Sequence, residues 1–396
     1  MGSRKKLAIS SFLAQFTIAM VNFSLVYFMR DKHGLSSAAI GIASSLYTLF
    51  YFLFCLVYGR FLSNVGNKGK VVASLIGMAM AIAFVLLSPN SISLYIALSL
   101  YGVAMALLWP NIEEWITQSL EGEELSKAVS SFNFSWSFGA GISTAFGGFF
   151  SQLGVSFPLV IAIALFFATA IWVLFIKDDG DAERNEECDS DDHSTPWRYL
   201  CWCGLVCVYV GYSLIITIFP LYASSKLMFS ETLTGNLLLF RGVSACISFV
   251  ILGRELFWQF KASVVFLSQI AFAMLAFLLS YLKSPVVLAI YFVVFGFIFA
   301  LSYELSIFHG AAGARNRAQR MMTHEVLLTV GTVIGSSLGG IIYQYISFNA
   351  VLYSISASTA VLVIVEIFLY KLRLEPRALD KTNQEHNSSH TQLNCH

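Results

Sequence analysis

A chain of 396 residues that is 57% apolar and only 12% charged carries about half the charge of a soluble globular protein. Its mean hydropathy of +0.72 and its recurring apolar runs of roughly 20 residues exclude a soluble enzyme with a single anchor. A net charge of +1 leaves no electrostatic case for nucleic acid as a partner.

The first apolar run, 7–29, follows MGSRKK. It is too long for the apolar core of a signal peptide and lacks a small-residue cleavage site, so it reads as a first membrane span. Gln15 and Asn22 fall seven residues apart in it, on one helical face. The second and third spans are expected at 36–60 and 70–88, and the fourth at 91–117. Within the fourth, LLWPNIEEW contains Pro110, which lacks a backbone donor and predicts a kink beside Trp109 and Asn111. Glu113 and Glu114 point about 100° apart on a helix, so at most one faces the interior well; a wet rim position suits both. The fifth span, 125–152, sets Asn133 and Trp136 on one face, and the sixth covers 156–176.

Residues 177–197 form the one long connection, strongly acidic, with the composition of a solvated linker. Six further spans are expected at 199–223, 232–257, 261–282, 285–309, 318–346 and 348–371. They bring Tyr209 and Tyr212, Arg241, Glu304, and the pair His324 and Glu325. His309 and Glu366 lie near span ends and read as rim residues. The tail, 373–396, reads as disordered; its His386, His390, Cys395 and His396 are not expected to form a functional metal site. The seven cysteines show neither a disulfide framework nor a zinc spacing. No cofactor is expected.

Lipid offers no partner to backbone N–H and C=O groups, so the spans must be helical. Nineteen Lys and Arg fall on the side of the termini and four on the other, with Arg241 left inside the membrane. Both termini are therefore expected to be cytoplasmic, whatever the acidity of the linker, because the rule counts basic residues.

The chain repeats itself. GAGISTAFGGFFSQ, 139–152, overlays GTVIGSSLGGIIYQ, 331–344, at an offset of 192, with five of fourteen positions identical. An offset of 194 pairs Gly41 with Gly235, Gly59 with Gly253, Arg60 with Arg254 and Gly102 with Gly296. Six spans is an even number, so both halves insert in the same direction, related by a pseudo-two-fold axis along the membrane normal. Gly331, Gly335 and Gly339, like Gly139, Ser143 and Gly147, place small residues on one helix face and allow close backbone approach. That face serves either static packing or a smooth seam on which the halves slide.

Twelve spans, a six-plus-six repeat, cytoplasmic ends and a long central loop resemble the major facilitator superfamily over nearly the full length. GRFLSNVGNKGK, 59–70, resembles that family's loop between spans 2 and 3 at Gly59, Gly66 and Lys68. Ser63 and Asn67 stand where the family has Asp and Arg, so the charge clasp of that loop lacks its residues. Arg60, Lys68 and Lys70 then read as anchors of orientation. The glycine stretches resemble the family's span-5 motif without its proline. The resemblance implies an all-α fold of two six-helix bundles, 1–176 and 198–372. It also implies alternating access around a central cavity.

Polar groups in hydrocarbon are costly and turn inward, so they mark the pathway. A charge at mid-span costs at least about 2.5 kcal/mol on insertion scales, and Arg241 lies roughly 14 Å from its span end. It is a candidate to bind an anionic group, against an ion pair or hydrogen bonds to a neighbouring helix. Glu304 is a candidate for proton coupling with His324 and Glu325 beside it, against pairing with a base near the inner gate. Gln15, Asn22, Trp109, Asn133, Trp136, Tyr209 and Tyr212 are candidates to orient an organic ligand in a mainly apolar pocket, against a role as interhelical glue. The expected protein is a monomeric secondary transporter of a small organic solute, anionic or amphiphilic, proton-driven, in the cell membrane. The competing expectation is a transporter-like receptor or structural membrane protein that no longer cycles. Neither a nucleotide-binding fingerprint nor a nucleophile–base constellation supports an enzyme.

Overall fold

The computed structural model describes residues 3–62, 65–117, 122–177, 196–255, 257–312 and 317–374. Ser63, most of the acidic linker and the tail from 375 lie outside the described residues. The described chain is helical, without a strand. Its first half comprises α1 (Ser3–His33), α2 (Ser37–Phe61), α3 (Asn67–Leu87), α4 (Ser91–Met105), α5 (Trp109–Thr117), α6 (Gly122–Leu153) and α7 (Phe157–Leu174). The second comprises α8 (Trp197–Thr217), α9 (Phe219–Lys226), α10 (Glu231–Arg254), α11 (Ala262–Leu279), α12 (Pro285–Ala311), α13 (Arg317–Tyr345) and α14 (Phe348–Leu369). Among the described residues, eleven stretches are long and apolar enough to cross a membrane. The 32-residue α6 takes the fifth place and completes twelve.

Two spans are broken, each at a proline. Pro110 cannot donate to the Ala106 carbonyl, and residues 106–108 form a turn between α4 and α5. The freed carbonyl faces the Cys55 thiol of α2 at 3.8 Å, and Asn111 Nδ2 donates to the Leu107 carbonyl at 2.9 Å. The seventh span, expected as one helix over 199–223, is two. Pro220 leaves the Ile216 carbonyl without its helical donor, and the chain turns at Ile218 between α8 and α9.

Helix neighbours reproduce the sequence repeat. In the first half α1 packs on α6, α2 on α4 and α3 on α7; in the second α8 packs on α13, α10 on α12 and α11 on α14. The halves meet along α2–α13 and α6–α10, contacts that exchange under the same pseudo-two-fold. The outward faces of α7, α11 and α14 leave Ile171, Leu174, Leu267, Met274, Ile364 and Phe368 bare, the surface a bilayer covers.

Both seams depend on missing side chains. A Cβ on Gly41 would overlap the Ser336 carbonyl, and Gly340 lies against Gly41. A Cβ on Gly148 would overlap the Glu231 carbonyl, and Gly235 lies against Gly148. These are one contact seen twice, since the two offsets relate Gly41 to Gly235 and Gly148 to Gly340. The Gly139, Gly147 face and the Gly331, Gly335, Gly339 face, read from sequence as serving either static packing or a sliding seam, serve packing within each half. Gly139 meets Phe12 and Gly147 meets Met20 and Phe23, all on α1. Gly331 and Gly335 meet Val206, Tyr209 and Val210, and Gly339 meets Leu214, all on α8. That face packs inside each half; the seam between halves uses the adjacent face. Gly59 lies in the last turn of α2 and Gly66 caps α3.

Overpacking a close helix contact costs about 1–3 kcal/mol. Gly41→Val and Gly148→Val are therefore expected to lower the melting temperature of the purified protein. Gly253→Ala, where no atom lies within 4 Å of the added Cβ, is expected to leave it unchanged. Equal melting of all three would remove the seam argument.

Candidate functional site

Where the halves meet, aromatic rings gather about one buried charge. Arg241 stands mid-way along α10 and is 3% exposed. Its guanidinium lies 4.8 Å from the Tyr212 ring centre and 5.9 Å from that of Phe299, within the range of cation–π attraction. Among the described residues it makes no ion pair, and its Nε has no hydrogen-bond partner. Its neighbour Gly242 touches Gly141 of α6, so the charge sits at the level where the halves meet. Of the alternatives weighed from sequence, the structure holds no ion pair among the described residues but does hold a side-chain hydrogen bond to a neighbouring helix, at Tyr212 of α8.

Rings continue from Arg241 along the second half. Tyr212 stacks on Phe299 at 5.0 Å, Tyr209 meets Phe299 at 5.3 Å, and Phe299 stacks on Tyr303 at 6.4 Å. Trp136 of α6 stacks on Tyr303 across the seam at 6.3 Å. His324 sets its ring edge to Tyr303 at 5.0 Å, and its Nδ1 pairs with Ser306 Oγ at 2.8 Å. Glu304 is half-buried beside Tyr303 and within its electrostatic reach. Glu325 is exposed, yet lies within electrostatic reach of Tyr51, Tyr209, Tyr303 and, from the other half, Glu113. An exposed carboxyl among such neighbours is one that faces an open chamber.

The first half repeats this wall without its charge. Trp109 sets its ring edge to Phe132 at 6.3 Å, and the repeat relates those residues to Tyr303 and His324. Asn133, half-buried, is the counterpart of Glu325. Arg241 has Tyr47 as its counterpart: Gly296 rests on the Arg241 carbonyl as Gly102 rests on that of Tyr47. Tyr47 reaches Tyr212 electrostatically, and Tyr51 and Cys55 follow it at four-residue steps. Sequence reasoning missed Tyr47, Tyr51, Cys55 and Tyr303. The offset that aligns the glycines would have found Tyr47 from Arg241. Gln15 and Asn22 are half-buried on α1, with Asn22 Oδ1 unpartnered.

His309 and Glu366 are not rim residues. They are 0% and 3% exposed, because α8 begins early and the chain after α14 runs on as a π-turn over Tyr370–Leu374. Trp197 stacks on His309 at 5.8 Å and meets Tyr370 edge-on at 6.0 Å, closing that end.

At the face opposite the termini the halves are tied together. The Ser37 amide donates to Gln344 Oε1 at 3.0 Å, and Thr232 Oγ1 donates to Gln152 Oε1 at 2.5 Å. Arg30 bonds Ser224 Oγ and approaches Glu231 at 3.7 Å. Deeper, Ser45 and Ser336 hydroxyls meet at 2.7 Å. Those ties hold the halves together at the face opposite the termini, whereas toward the termini Glu113 and Glu325 are exposed.

The family model of the Major Facilitator Superfamily matches residues 7–312. This chain belongs to the Major Facilitator Superfamily. Solved superfamily structures share its fold. The nucleoside transporter NupG is 14% identical, with a TM-score of 0.73 over 94% of this chain and all of that one. A POT family transporter in complex with a thioalcohol-conjugated peptide is 12% identical, with a TM-score of 0.72 over 93% and 96% of the two chains. A bacterial homolog of the human lysosomal transporter Spinster, inward-facing and occupied, is 14% identical, with a TM-score of 0.68 over 93% and 95%. No curated protein sequence matches this superfamily member. It is a membrane transporter, with twelve helices in two six-helix bundles.

With their hydroxyls 2.7 Å apart, Ser45→Cys and Ser336→Cys together are expected to form a disulfide on oxidation, read by peptide mass spectrometry. A pair that stays reduced under oxidant would show that α2 and α13 do not meet there.

Proposed function

We propose that this chain is a proton-coupled secondary transporter that moves a small organic solute with an anionic group by alternating access. The observation that carries this reading is a buried guanidinium, held over two rings at the level of the seam, with no carboxylate paired to it among the described residues. A buried charge is retained only where something compensates it, and an arriving anion does so. Tyr209, Tyr212, Trp136, Asn133 and Trp109, with Gln15 and Asn22 on α1, orient the remainder of the solute. Glu304 is the leading proton-coupling group, with Glu325 and His324 next to it. Residues 1–176 and 198–372 are the rocking bodies, joined by the 177–197 linker and followed by a cytoplasmic tail, 373–396. The excess of basic residues on the termini side supports cytoplasmic ends and a chamber open to the cytoplasm. The protein acts as a monomer in the cell membrane.

The departures at Ser63 and Asn67 favour one alternative, a receptor that binds but does not cycle. Counterflow of a bound solute in proteoliposomes separates the two, since only a cycling protein exchanges labelled for unlabelled solute. In the same vesicles an imposed pH gradient is expected to change the rate of net transport. Glu304→Gln is expected to abolish that response while sparing counterflow. Arg241→Ala and Arg241→Lys are expected to weaken solute affinity by about tenfold or more, because a point charge does not replace a stacked guanidinium. Transport indifferent to the gradient removes the coupling proposal, and unchanged affinity in both Arg241 variants removes the binding role.

A further inference from the structure

On the face opposite the termini lies a cavity of about 890 Å³ that shares no lining residue with the cluster about Arg241. Among the described residues that face has four basic side chains, Arg30, Lys32, Lys226 and Lys283. Arg30 is committed to Asp31 and Glu231. Lys226 and Lys283, far apart in sequence, line this one cavity, and no Asp, Glu or His lines it with them. Neither lysine makes an ion pair among the described residues. Membrane insertion thins Lys and Arg on one side of the bilayer, so it does not explain two of them at one cleft. Local structure fixes where both stand. Lys226 lies in the last turn of α9, which stops at once: Met228 takes a left-handed φ of 56°, and the Phe229 amide reaches back to the Ala223 carbonyl at 3.0 Å. Lys283 lies in the link 280–284 between α11 and α12, two positions before Pro285 opens α12.

The rest of the lining gives the ligand a shape. Tyr222 stacks on Phe348 at 4.1 Å and Tyr343 meets Phe348 edge-on at 5.9 Å, so rings form part of the wall. Gln344 accepts the Ser37 amide through Oε1 at 3.0 Å, which leaves its side-chain NH2 as a donor. A lone ion would leave most of this volume empty, whereas cavities of this size hold an organic body. Two lysines balance two negative charges, and a phosphate monoester carries about −1.5 to −2 at pH 7. A carboxylate or a sulfate ester brings one charge and leaves one ammonium unmatched. We infer that the cavity is a binding site for an organic phosphate monoester, its dianionic group between Lys226 and Lys283 and its apolar part against Tyr222 and Tyr343. Ser37 belongs to the first half and every other lining residue to the second, so an occupant touches both halves at their tie. A dissolved phosphate ester and the headgroup of an anionic phospholipid offer the same chemistry here.

Melting of the purified protein in phosphatidylcholine nanodiscs tests the site, because a ligand that binds only the folded form raises the melting temperature. The dissolved probes are phenyl phosphate and phenyl sulfate; in a second arm, phosphatidic acid replaces part of the lipid. Phenyl phosphate is expected to bind about tenfold or more tightly than phenyl sulfate at pH 7.5. Its affinity is expected to fall about tenfold at pH 5, where the ester has gained a proton below its second pKa of about 6, while that of phenyl sulfate stays level. Lys226→Gln and Lys283→Gln are each expected to weaken binding about tenfold or more, and Lys226→Arg and Lys283→Arg to keep most of it. Unliganded melting of each variant reports folding separately. Lysine-dependent stabilisation by phosphatidic acid without binding of phenyl phosphate assigns the site to a lipid headgroup, and the reverse assigns it to a dissolved ester. The inference is overturned if neither phosphate stabilises the protein, if phenyl sulfate binds as tightly as phenyl phosphate, or if binding survives in both lysine-to-glutamine variants. Binding that is kept in those variants and lost in Arg241→Gln belongs instead to the cargo site proposed above.

Discussion

How near two helices can come without a side chain between them governs this molecule. At α2–α13 and α6–α10 the backbones touch at Gly41 and Gly340, and again at Gly235 and Gly148. In lipid no hydrophobic force drives helices together, so close van der Waals contact has to do it. Such contact is short-ranged, so each crossing depends on the absence of a side chain there. The polar ties, Ser37 to Gln344 and Thr232 to Gln152, sit at the ends of the seams and add directional bonds to them.

The same duplication that builds two matching seams builds a chamber whose walls do not match. Corresponding positions hold Tyr47 and Arg241, Trp109 and Tyr303, Phe132 and His324, Asn133 and Glu325. In each pair the shape-bearing role is kept, while the cation Arg241, the imidazole of His324 and the carboxyl of Glu325 all belong to the second half. The first half supplies Glu113 after the Pro110 break, where the repeat no longer runs in step. Symmetry thus sets the geometry of the cavity, and departures from it set the chemistry.

The spans were legible in the sequence because the bilayer leaves little freedom: α13 covers Arg317–Tyr345 where 318–346 was expected. Arg241 was legible for the same reason, since one charge in an apolar run has few explanations. The face of the glycine stretches was not. A Gly-Gly doublet such as Gly339-Gly340 offers small residues to two directions about 100° apart, and nothing local says which neighbour takes which face. Tyr47, Tyr51 and Tyr303 were missed because tyrosine is ordinary in a membrane helix and gains meaning only from what it stands beside. The burial of His309 and Glu366 depended on helix ends continuing past the expected boundary, the least determined part of any such reading.

The link from Arg30 to Ser224 and Glu231 lies on the face that meets the opposite compartment, with Arg30 and Glu231 side chains 31% and 23% exposed. Ion pairs so placed are screened by dissolved salt, whose reach at physiological strength is about 8 Å. The glycine seams and the ring wall carry no net charge and are indifferent to it. Dissolved salt at the face opposite the termini therefore weakens that link, while salt at the face of the termini leaves it untouched.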